Sequence, residues 1–184
     1  MKKLTHDEIA QRRLGIDEIS KHQRLPVTVI VDNVRSLYNI GSIFRTSDGA
    51  FIQKLILTGF TPRPPRKEIE KTALGSTKSI PWEYFPSPLA AIDNLKSDGY
   101  RVCCLEIATD SLPYFAVRKP DFPICLIVGN EITGVSKDLV AQCDQSLEIP
   151  MFGTKQSLNV AVAYGIAVFE LSRIWRSLQS NARV

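Results

Sequence analysis

The chain has 184 residues, of which 44% are hydrophobic and 23% charged, and this composition is typical of a single globular domain with a substantial core. Because no apolar run approaches the roughly 20 residues that span a bilayer, and the start of the chain turns polar where a signal peptide would turn apolar, we expect a cytoplasmic protein without membrane contact. The formal net charge is +4, and with only two histidines, both in the polar N-terminal segment, we expect neither a zinc site nor a Ser-His-Asp triad.

Two segments carry most of the positive charge. Residues 1–24 contain six Lys or Arg against four acids, and residues 61–80 contain five against two, so the rest of the chain has a net charge of −1. Two basic patches on a near-neutral body favour a polyanionic partner, although solvated basic faces without a partner would show the same charges. The candidate contacts are Arg12, Arg13, Arg63, Arg66, Lys67 and Lys71.

The first third of the chain alternates helical and extended patterns. Residues 5–23 begin with a capping box and carry an irregular apolar stripe, so they are predicted to form a helix. The β-branched run at residues 26–31 predicts a buried strand, a helix follows Ser36, and residues 54–57 predict a second strand that Thr58 and Gly59 close. Residues 60–80 are predicted to be one long loop, because their prolines remove backbone donors and fix the chain.

The remaining residues continue the alternation of strands and helices. Strands are predicted at residues 82–85, 101–107, 124–128 and 147–149, and helices at residues 88–96, after Ser136, and at residues 157–178 with Ser157 as N-cap. This alternation predicts a single α/β domain with a mainly parallel sheet and helices on both faces. In such sheets ligands bind beyond the carboxyl ends of strands, and the loops at residues 32–39, 129–136 and 150–157 qualify.

Each of the three loops holds polar candidates for a site. Asn39 could cap the following helix and Arg45 could bind a phosphate through its guanidinium, although a cap and a surface arginine would look the same. Glu131 could accept a hydrogen bond from a substrate hydroxyl or cap a backbone amide. Ser157 lacks a histidine to act as its base, so a capping or hydrogen-bonding role is favoured over a nucleophilic one.

The cysteines and the final helix carry structural rather than catalytic predictions. The four cysteines lie in apolar stretches without C-x-x-C spacing, which predicts reduced core thiols and no bound metal. The final helix is apolar almost all round, so we expect its own sheet on one side and a homodimer partner on the other.

Three motifs in order resemble those of one enzyme family. Asn39-x-Gly41-x-x-x-Arg45, Gly129-Asn130-Glu131-x-x-Gly134-x-Ser136 and Ile149-Pro150-Met151-x-Gly153-x-x-x-Ser157-Leu158-Asn159-Val160 are similar to the first, second and third motifs of the TrmH (SpoU) family. These proteins are SPOUT-class S-adenosylmethionine-dependent RNA methyltransferases. The resemblance covers residues 26–178.

The resemblance implies a fold and an activity. The fold would be an α/β sheet whose C-terminal segment forms a deep trefoil knot, and the enzyme would work as a homodimer. It would transfer a methyl group from S-adenosylmethionine to a ribose 2′-hydroxyl of tRNA or rRNA. Residues 25–184 would be the catalytic domain, preceded by a basic helical extension at residues 1–24.

The resemblance also implies residue roles. Arg45 would be the catalytic residue and contact RNA, acting as a clamp for phosphate and oxyanion charge because arginine is a poor base. The residues arranging the site would be Asn39, Glu131, Ser157 and Asn159. Those near the cofactor would be Thr58, Gly59, Gly129, Asn130, Ile149, Met151, Gly153, Ser157 and Leu158.

Two residues depart from the family pattern: Ser47, where the first motif often has alanine, is a small change, and the second lies in the second motif. Where the second motif commonly has glycine after its glutamate, this chain has Ile132, whose bulk could narrow the substrate side or reshape the turn. An RNA-binding protein that keeps the fold without turnover is therefore the alternative hypothesis. A base-methylating enzyme is a further one.

Overall fold

The computed structural model describes residues 1–12 and 14–180. Seven parallel strands form its sheet in the spatial order β3-β2-β1-β6-β4-β7-β5. They are β1 (Leu25–Asp32), β2 (Ile52–Thr58), β3 (Trp82–Phe85), β4 (Arg101–Leu105), β5 (Leu112–Pro113), β6 (Ile124–Val128) and β7 (Gln145–Glu148). The predicted parallel α/β sheet is confirmed, whereas the trefoil knot stays a prediction.

The described residues form six α-helices, of which all but the first lie between or after the strands. They are α1 (His6–Ala10), α2 (Leu37–Ala50), α3 (Lys67–Ala73), α4 (Pro88–Ser97), α5 (Lys137–Val140) and α6 (Val160–Ser180). Short 3-10 helices occupy Ile16–Lys21, Tyr114–Ala116 and Lys119–Asp121. Among the described residues, no helix combines the length and the apolarity that crossing a bilayer requires.

The side chains of β1 alternate between two cores, one on each face of the sheet. Val29 and Val31 lie in the core that α2 and α6 cover, whereas Ile30 lies in the core that α4 and α5 cover. Each fully buried aliphatic side chain of this kind stabilises the fold by about 1.5–3 kcal/mol. Helices on both faces were predicted, and the two cores confirm them.

A buried hydrogen bond joins the two helices of the larger core. Tyr164 of α6 is fully buried, and its hydroxyl lies 2.7 Å from the Ser47 hydroxyl on α2. Burial raises the Tyr164 pKa, and the Ser47 hydrogen bond only partly offsets that rise. The pair therefore satisfies two hydroxyls that would otherwise be costly inside an apolar core.

The cysteines lie in and beside the sheet. Cys103, Cys104 and Cys125 are buried without disulfides, as expected of core thiols, and Cys143 is half-buried. Burial raises the pKa of Cys103 to about 12. Among the described residues, no cluster of three or more His, Cys, Asp or Glu side chains is placed to hold a metal ion.

The long helix predicted over residues 5–23 is wrong. The capping box at Thr5 is present, but α1 ends at Ala10, and a separate 3-10 helix begins after Gly15. None of the α1 residues is buried. An amphipathic helix without a buried face gains little from packing, and short helices are marginal on their own, which explains the interruption.

The single loop predicted over residues 60–80 is also wrong. The prolines end at Pro65, and α3 begins two residues later, where backbone donors are again available. Ile69 and Ala73 are one helical turn apart and both buried, so α3 packs this face against α2. The proline cluster therefore ends before the helix rather than preventing it.

Candidate functional site

The main cavity of the described residues lies beyond the carboxyl ends of β6, β4 and β7. Its volume is about 670 Å³, which suits a small-molecule ligand. Its walls come from the segments that follow these three strands and from the start of α6. A ligand site at strand ends was predicted, and the cavity lies there.

Glu131 holds the N-terminus of α2. Its carboxylate accepts hydrogen bonds from the backbone N–H groups of Arg35 and Ser36 and from the side-chain amide of Asn39, each at 2.9 Å. Partial burial raises the pKa of Glu131, but these three donors outweigh it, and the net pKa lies below the ordinary value. Of the two roles predicted for Glu131, capping a backbone amide is the one observed.

Asn39 and Asn159 extend this contact to a second helix. The Asn39 Oδ1 accepts from the Asn159 Nδ2 at 3.1 Å. The Asn159 Oδ1 in turn accepts from the backbone N–H groups of Ala161 and Val162, at 2.9 and 3.3 Å. A continuous polar chain, which we call the amide bridge (Glu131, Asn39 and Asn159), thus joins the starts of α2 and α6.

This bridge corrects two predicted helix caps. Ser36, not Asn39, caps α2, because its hydroxyl accepts from the Asn39 N–H while Asn39 lies within the first turn. Ser157 is not the N-cap of the final helix, which begins at Val160 with the Asn159 side chain capping it. Ser157 instead lines the cavity.

The turn after β6 has no room for side chains at its glycines. A Cβ atom at Gly129 would collide with the backbone of Gly134 and Val135. Gly134 has a φ of +66°, and a Cβ atom there would collide with the Glu106 carboxylate. Between them, Asn130 accepts from the N–H groups of Ile132 and Thr133. The backbone of this turn is therefore closely packed. Because its glycines carry no side chains, a ligand can approach that backbone.

Glu106 is a cavity residue that the sequence argument missed. It follows β4, and its carboxylate accepts from the backbone N–H groups of Val135 and Ile107, both at 2.9 Å. Glu148, at the end of β7, also lines the cavity. The position of Glu106 directly after a strand was the available indication, but the loop after that strand was not among the three predicted ligand loops.

The predicted cofactor residues divide into two groups. Those that line the cavity are Gly129, Asn130, Ile149, Met151, Ser157 and Leu158. Gly153 lies outside the cavity wall, with open space where its side chain would be. Thr58 and Gly59 also lie elsewhere: Thr58 is buried with its hydroxyl donating to Asp32 at 2.7 Å, and Gly59 packs against Asn33.

The charge of the cavity wall favours a cationic ligand. Three carboxylates, Glu106, Glu131 and Glu148, face a single basic residue, Lys137. The rest of the wall is largely aliphatic, with Ile149 and Leu158 among its members. A ligand with an apolar planar part and a positive centre therefore complements the three carboxylates and the aliphatic walls.

Comparisons with known proteins agree with this geometry. The model of the SpoU rRNA Methylase family matches residues 26–169. The chain belongs to this family. The tRNA (guanosine(18)-2'-O)-methyltransferase of Aquifex aeolicus is 31% identical over 169 residues, covering 90% of this chain and 78% of the relative. The Escherichia coli K12 enzyme of that name is 26% identical, covering 88% of this chain and 69% of the relative.

Solved structures of family members superpose closely. The A. aeolicus TrmH/SpoU tRNA modifying enzyme has a TM-score of 0.80 at 28% identity, covering 94% of this chain and 85% of that chain. The AdoMet-bound rRNA methyltransferase from Sinorhizobium meliloti has a TM-score of 0.76 at 31% identity, covering 82% and 57%. The predicted family, enzyme class and S-adenosylmethionine cofactor are confirmed.

In this SpoU methylase, Arg45 does not join the amide bridge. It lies on α2 about two turns beyond Asn39, and its exposed side chain makes no hydrogen bond or ion pair with any described residue. Its neighbour Thr46 lies beside Gly165 of α6. Arg45 is therefore placed along the α2–α6 face and not in the cavity wall of its own chain.

The basic residues of the second charged segment are exposed around α3. The Arg63 guanidinium stacks over the Tyr84 ring at 4.1 Å from its centroid. The other exposed basic side chains of this segment include Arg66, Lys67 and Lys71. Arg12 of the N-terminal segment is exposed as well, whereas Arg13 lies outside the described residues.

Proposed function

We propose that this chain transfers a methyl group from S-adenosylmethionine to a ribose 2′-hydroxyl of tRNA or rRNA. The observation that carries the proposal is the amide bridge beside a cavity with an acidic and apolar wall. The names of the tRNA and rRNA methyltransferases that it resembles support the choice of substrate. By analogy with these RNA-modifying enzymes, we place the protein in the cytoplasm.

The cavity supplies the groups that S-adenosylmethionine would need. Ile149 and Leu158 offer apolar walls for the adenine ring, and the close-packed turn at Gly129 offers backbone groups. Glu106 and Glu148 offer negative charge to a cationic ligand. When bound, the cofactor supplies a methyl group on a positively charged sulfur.

The residues of the bridge are proposed to position the substrate rather than to remove its proton. Three donors already occupy the Glu131 carboxylate, and its lowered pKa makes it a weak base at neutral pH. Asn39 and Asn159 hold the starts of α2 and α6 in a fixed relationship. Such a fixed geometry accelerates methyl transfer more than a loosely held base would.

Arg45 is proposed to bind the phosphate and to stabilise the developing oxyanion. A guanidinium is a poor base but a permanent charge that can bind phosphate through two donors. Since Arg45 lies outside the cavity wall of its own chain, a second copy is needed to bring an Arg45 and a cavity together.

A homodimer through α6 would meet that need. The exposed apolar side chains Val162, Ile166 and Phe169 are 51%, 36% and 52% accessible and follow helical spacing along one face. Leu158 begins this stripe and also lines the cavity. A partner packed on the stripe would therefore reach the cavity edge and the neighbouring Arg45.

The two basic segments are proposed to bind the RNA backbone. Residues 1–24 would act as a basic extension of the catalytic domain at residues 25–184. Arg24 anchors this extension by donating to the carbonyls of Ile52 and Ser79 and by stacking over Phe51. Arg63, Arg66 and Lys67 would provide the second contact.

Isothermal calorimetry with S-adenosylmethionine separates this proposal from the alternative of an inactive RNA-binding protein. Ile132 is 78% exposed at the cavity edge and leaves the cavity open, which favours the enzyme. We expect saturable binding, weakened at least tenfold in Gly129→Ala. No binding at millimolar cofactor would contradict the proposal.

A further inference from the structure

Phe60 exposes an aromatic ring to solvent just beyond the carboxyl end of β2. The residue follows β2 and is 62% exposed. An isolated exposed phenylalanine needs no explanation, but this one sits on a backbone that is fixed from both sides.

The residue before Phe60 is locked in place. Gly59 adopts a φ of +63°, and a Cβ atom there would collide with the Asn33 side chain. The Gly59 carbonyl accepts from the Tyr84 hydroxyl at 2.9 Å, and the Phe60 N–H donates to the Asn33 Oδ1 at 3.1 Å. Two hydrogen bonds therefore hold the backbone that carries the ring.

The residue after Phe60 is locked as well. Thr61 is buried, its hydroxyl donates to the Val31 carbonyl at 3.0 Å and accepts from the Val34 N–H at 3.1 Å. The chain is thus fixed on both sides of a ring that remains outside. A rigid platform loses little entropy when a planar ligand binds to it.

One residue connects this platform to the site. Asn33 accepts from the Phe60 N–H through its side chain and from the Asn130 Nδ2 through its carbonyl, the latter at 2.7 Å. Asn130 lines the cavity and precedes Glu131. The ring therefore lies close enough to the cavity for a neighbouring nucleotide of the same RNA strand to reach it.

The surroundings of the ring favour an anionic planar ligand over an apolar protein surface. Arg63 covers the Tyr84 ring, and the Tyr84 hydroxyl donates to the carbonyl of Gly59, the residue before Phe60. Arg63 is exposed on this aromatic ring and Arg66 is exposed three residues further along the chain, a combination that suits a base and its phosphate. A protein partner would favour a contiguous apolar patch instead.

We propose that Phe60 is a stacking platform for an unpaired base of the RNA substrate, adjacent to the nucleotide that is methylated. This inference rests on the proposed function, because it assigns a part of the same substrate. Bases inside a duplex hide their faces in the stack, so the platform selects single-stranded or loop RNA.

The test compares Phe60→Ala, Phe60→Leu and Phe60→Tyr in the full chain. Leucine keeps an apolar side chain without a ring, and tyrosine keeps the ring. Binding is measured with an unpaired oligoribonucleotide carrying 2-aminopurine and with a duplex of the same length, over a range of salt. Thermal unfolding and calorimetry with S-adenosylmethionine report whether each variant is folded.

We expect Ala and Leu to weaken binding of the unpaired oligonucleotide by about 5- to 150-fold, and Tyr to remain within about threefold of the wild type. The 2-aminopurine quenching should be lost in Ala and Leu only, and duplex binding and the salt slope should not change. Wild-type affinity in Phe60→Leu, an equal loss on duplex, or a change in self-association in place of RNA binding would overturn the inference.

The outcomes distinguish this inference from the proposed function. A wild-type protein that methylates RNA while Phe60→Leu binds and methylates unpaired RNA normally would overturn the platform and leave the function standing. A wild-type protein that binds unpaired RNA through Phe60 but neither binds S-adenosylmethionine nor methylates would leave the platform and contradict the function.

Discussion

Asn39 donates its side-chain amide to the Glu131 carboxylate at 2.9 Å, although 92 residues separate the two in the chain. Through this contact the turn after β6 fixes the first turn of α2, and Asn159 extends the connection to α6. The geometry of three chain segments thus depends on a few polar atoms at the edge of the cavity. Substitutions there should change cofactor and substrate geometry before they disturb the core.

Glu131→Ala should destabilise the fold by about 1 kcal/mol at pH 7, because it removes a carboxylate that accepts two backbone N–H groups at the start of α2. Glu131→Gln should show the charge part alone. The pKa of Glu131 is lowered on folding, so its stabilisation is present above the unfolded pKa of about 4.3 and is lost as pH falls through the lower folded pKa.

Urea unfolding between pH 7 and pH 3 measures this effect. The stability difference between wild type and Glu131→Gln should shrink as the pH falls. Asp93→Asn removes an exposed carboxylate on α4 and serves as the control with no such trend. A difference that stays constant down to pH 3 would show that the Glu131 charge does not stabilise α2.

Gly129→Ala should destabilise the protein by about 1–3 kcal/mol and weaken S-adenosylmethionine binding at least tenfold, since its Cβ atom has no space against the turn backbone. Gly153→Ala is the matched control, because nothing lies within 4 Å of the side chain it would add. Equal behaviour of the two variants in calorimetry would mean that the turn is not a tight wall of the cofactor site.

Ile166→Glu should convert a dimer into a monomer, because the substitution places a charge in the middle of the exposed α6 stripe. Light scattering coupled to size exclusion measures the mass. Leu89→Glu changes another exposed apolar residue, on α4, and should leave the dimer intact. A wild-type protein that is monomeric at micromolar concentration would contradict the dimer.

Charge reversal at Arg63, Arg66 and Lys67 should weaken RNA binding and reduce the slope of log affinity against log salt. The reason is that RNA binding releases fewer counterions for each phosphate contact that is lost. Charge reversal at Lys96 and Lys119, which are exposed and belong to neither basic segment nor the cavity wall, is the comparison. An unchanged salt slope in the first variant would remove the segment around α3 from the RNA contact.

The positions of the strands could be predicted from the sequence better than the contacts between the loops. The β-branched run of β1 and the apolar run of β6 determine buried strands locally, so their placement needed no partner. Helix α3 was missed because its buried face, Ile69 and Ala73, is short and follows a proline cluster. A single pair of apolar side chains at four-residue spacing was too weak a pattern to override those prolines.

The site shows the same division. The three motifs located Glu131, Asn39 and Asn159, because their order and spacing in this chain match those of the family that it resembles. Which atom bonds to which depends on how distant segments meet, so the assignment of the caps to Asn39 and Ser157 failed. Glu106 belongs to no motif, and its place in the cavity wall depends on the turn after β6, whose Val135 N–H donates to its carboxylate.

Mapping of ribose 2′-O-methylation in tRNA and rRNA tests the central claim most directly. Cells lacking the protein are compared with cells that express the wild type or Arg45→Ala at equal levels. We expect one site or more to lose its 2′-O-methyl group without the protein, to regain it with the wild type, and to stay unmodified with Arg45→Ala, whose cofactor affinity should remain within a few fold. An identical 2′-O-methylation pattern in the presence and absence of the wild-type protein would contradict the account.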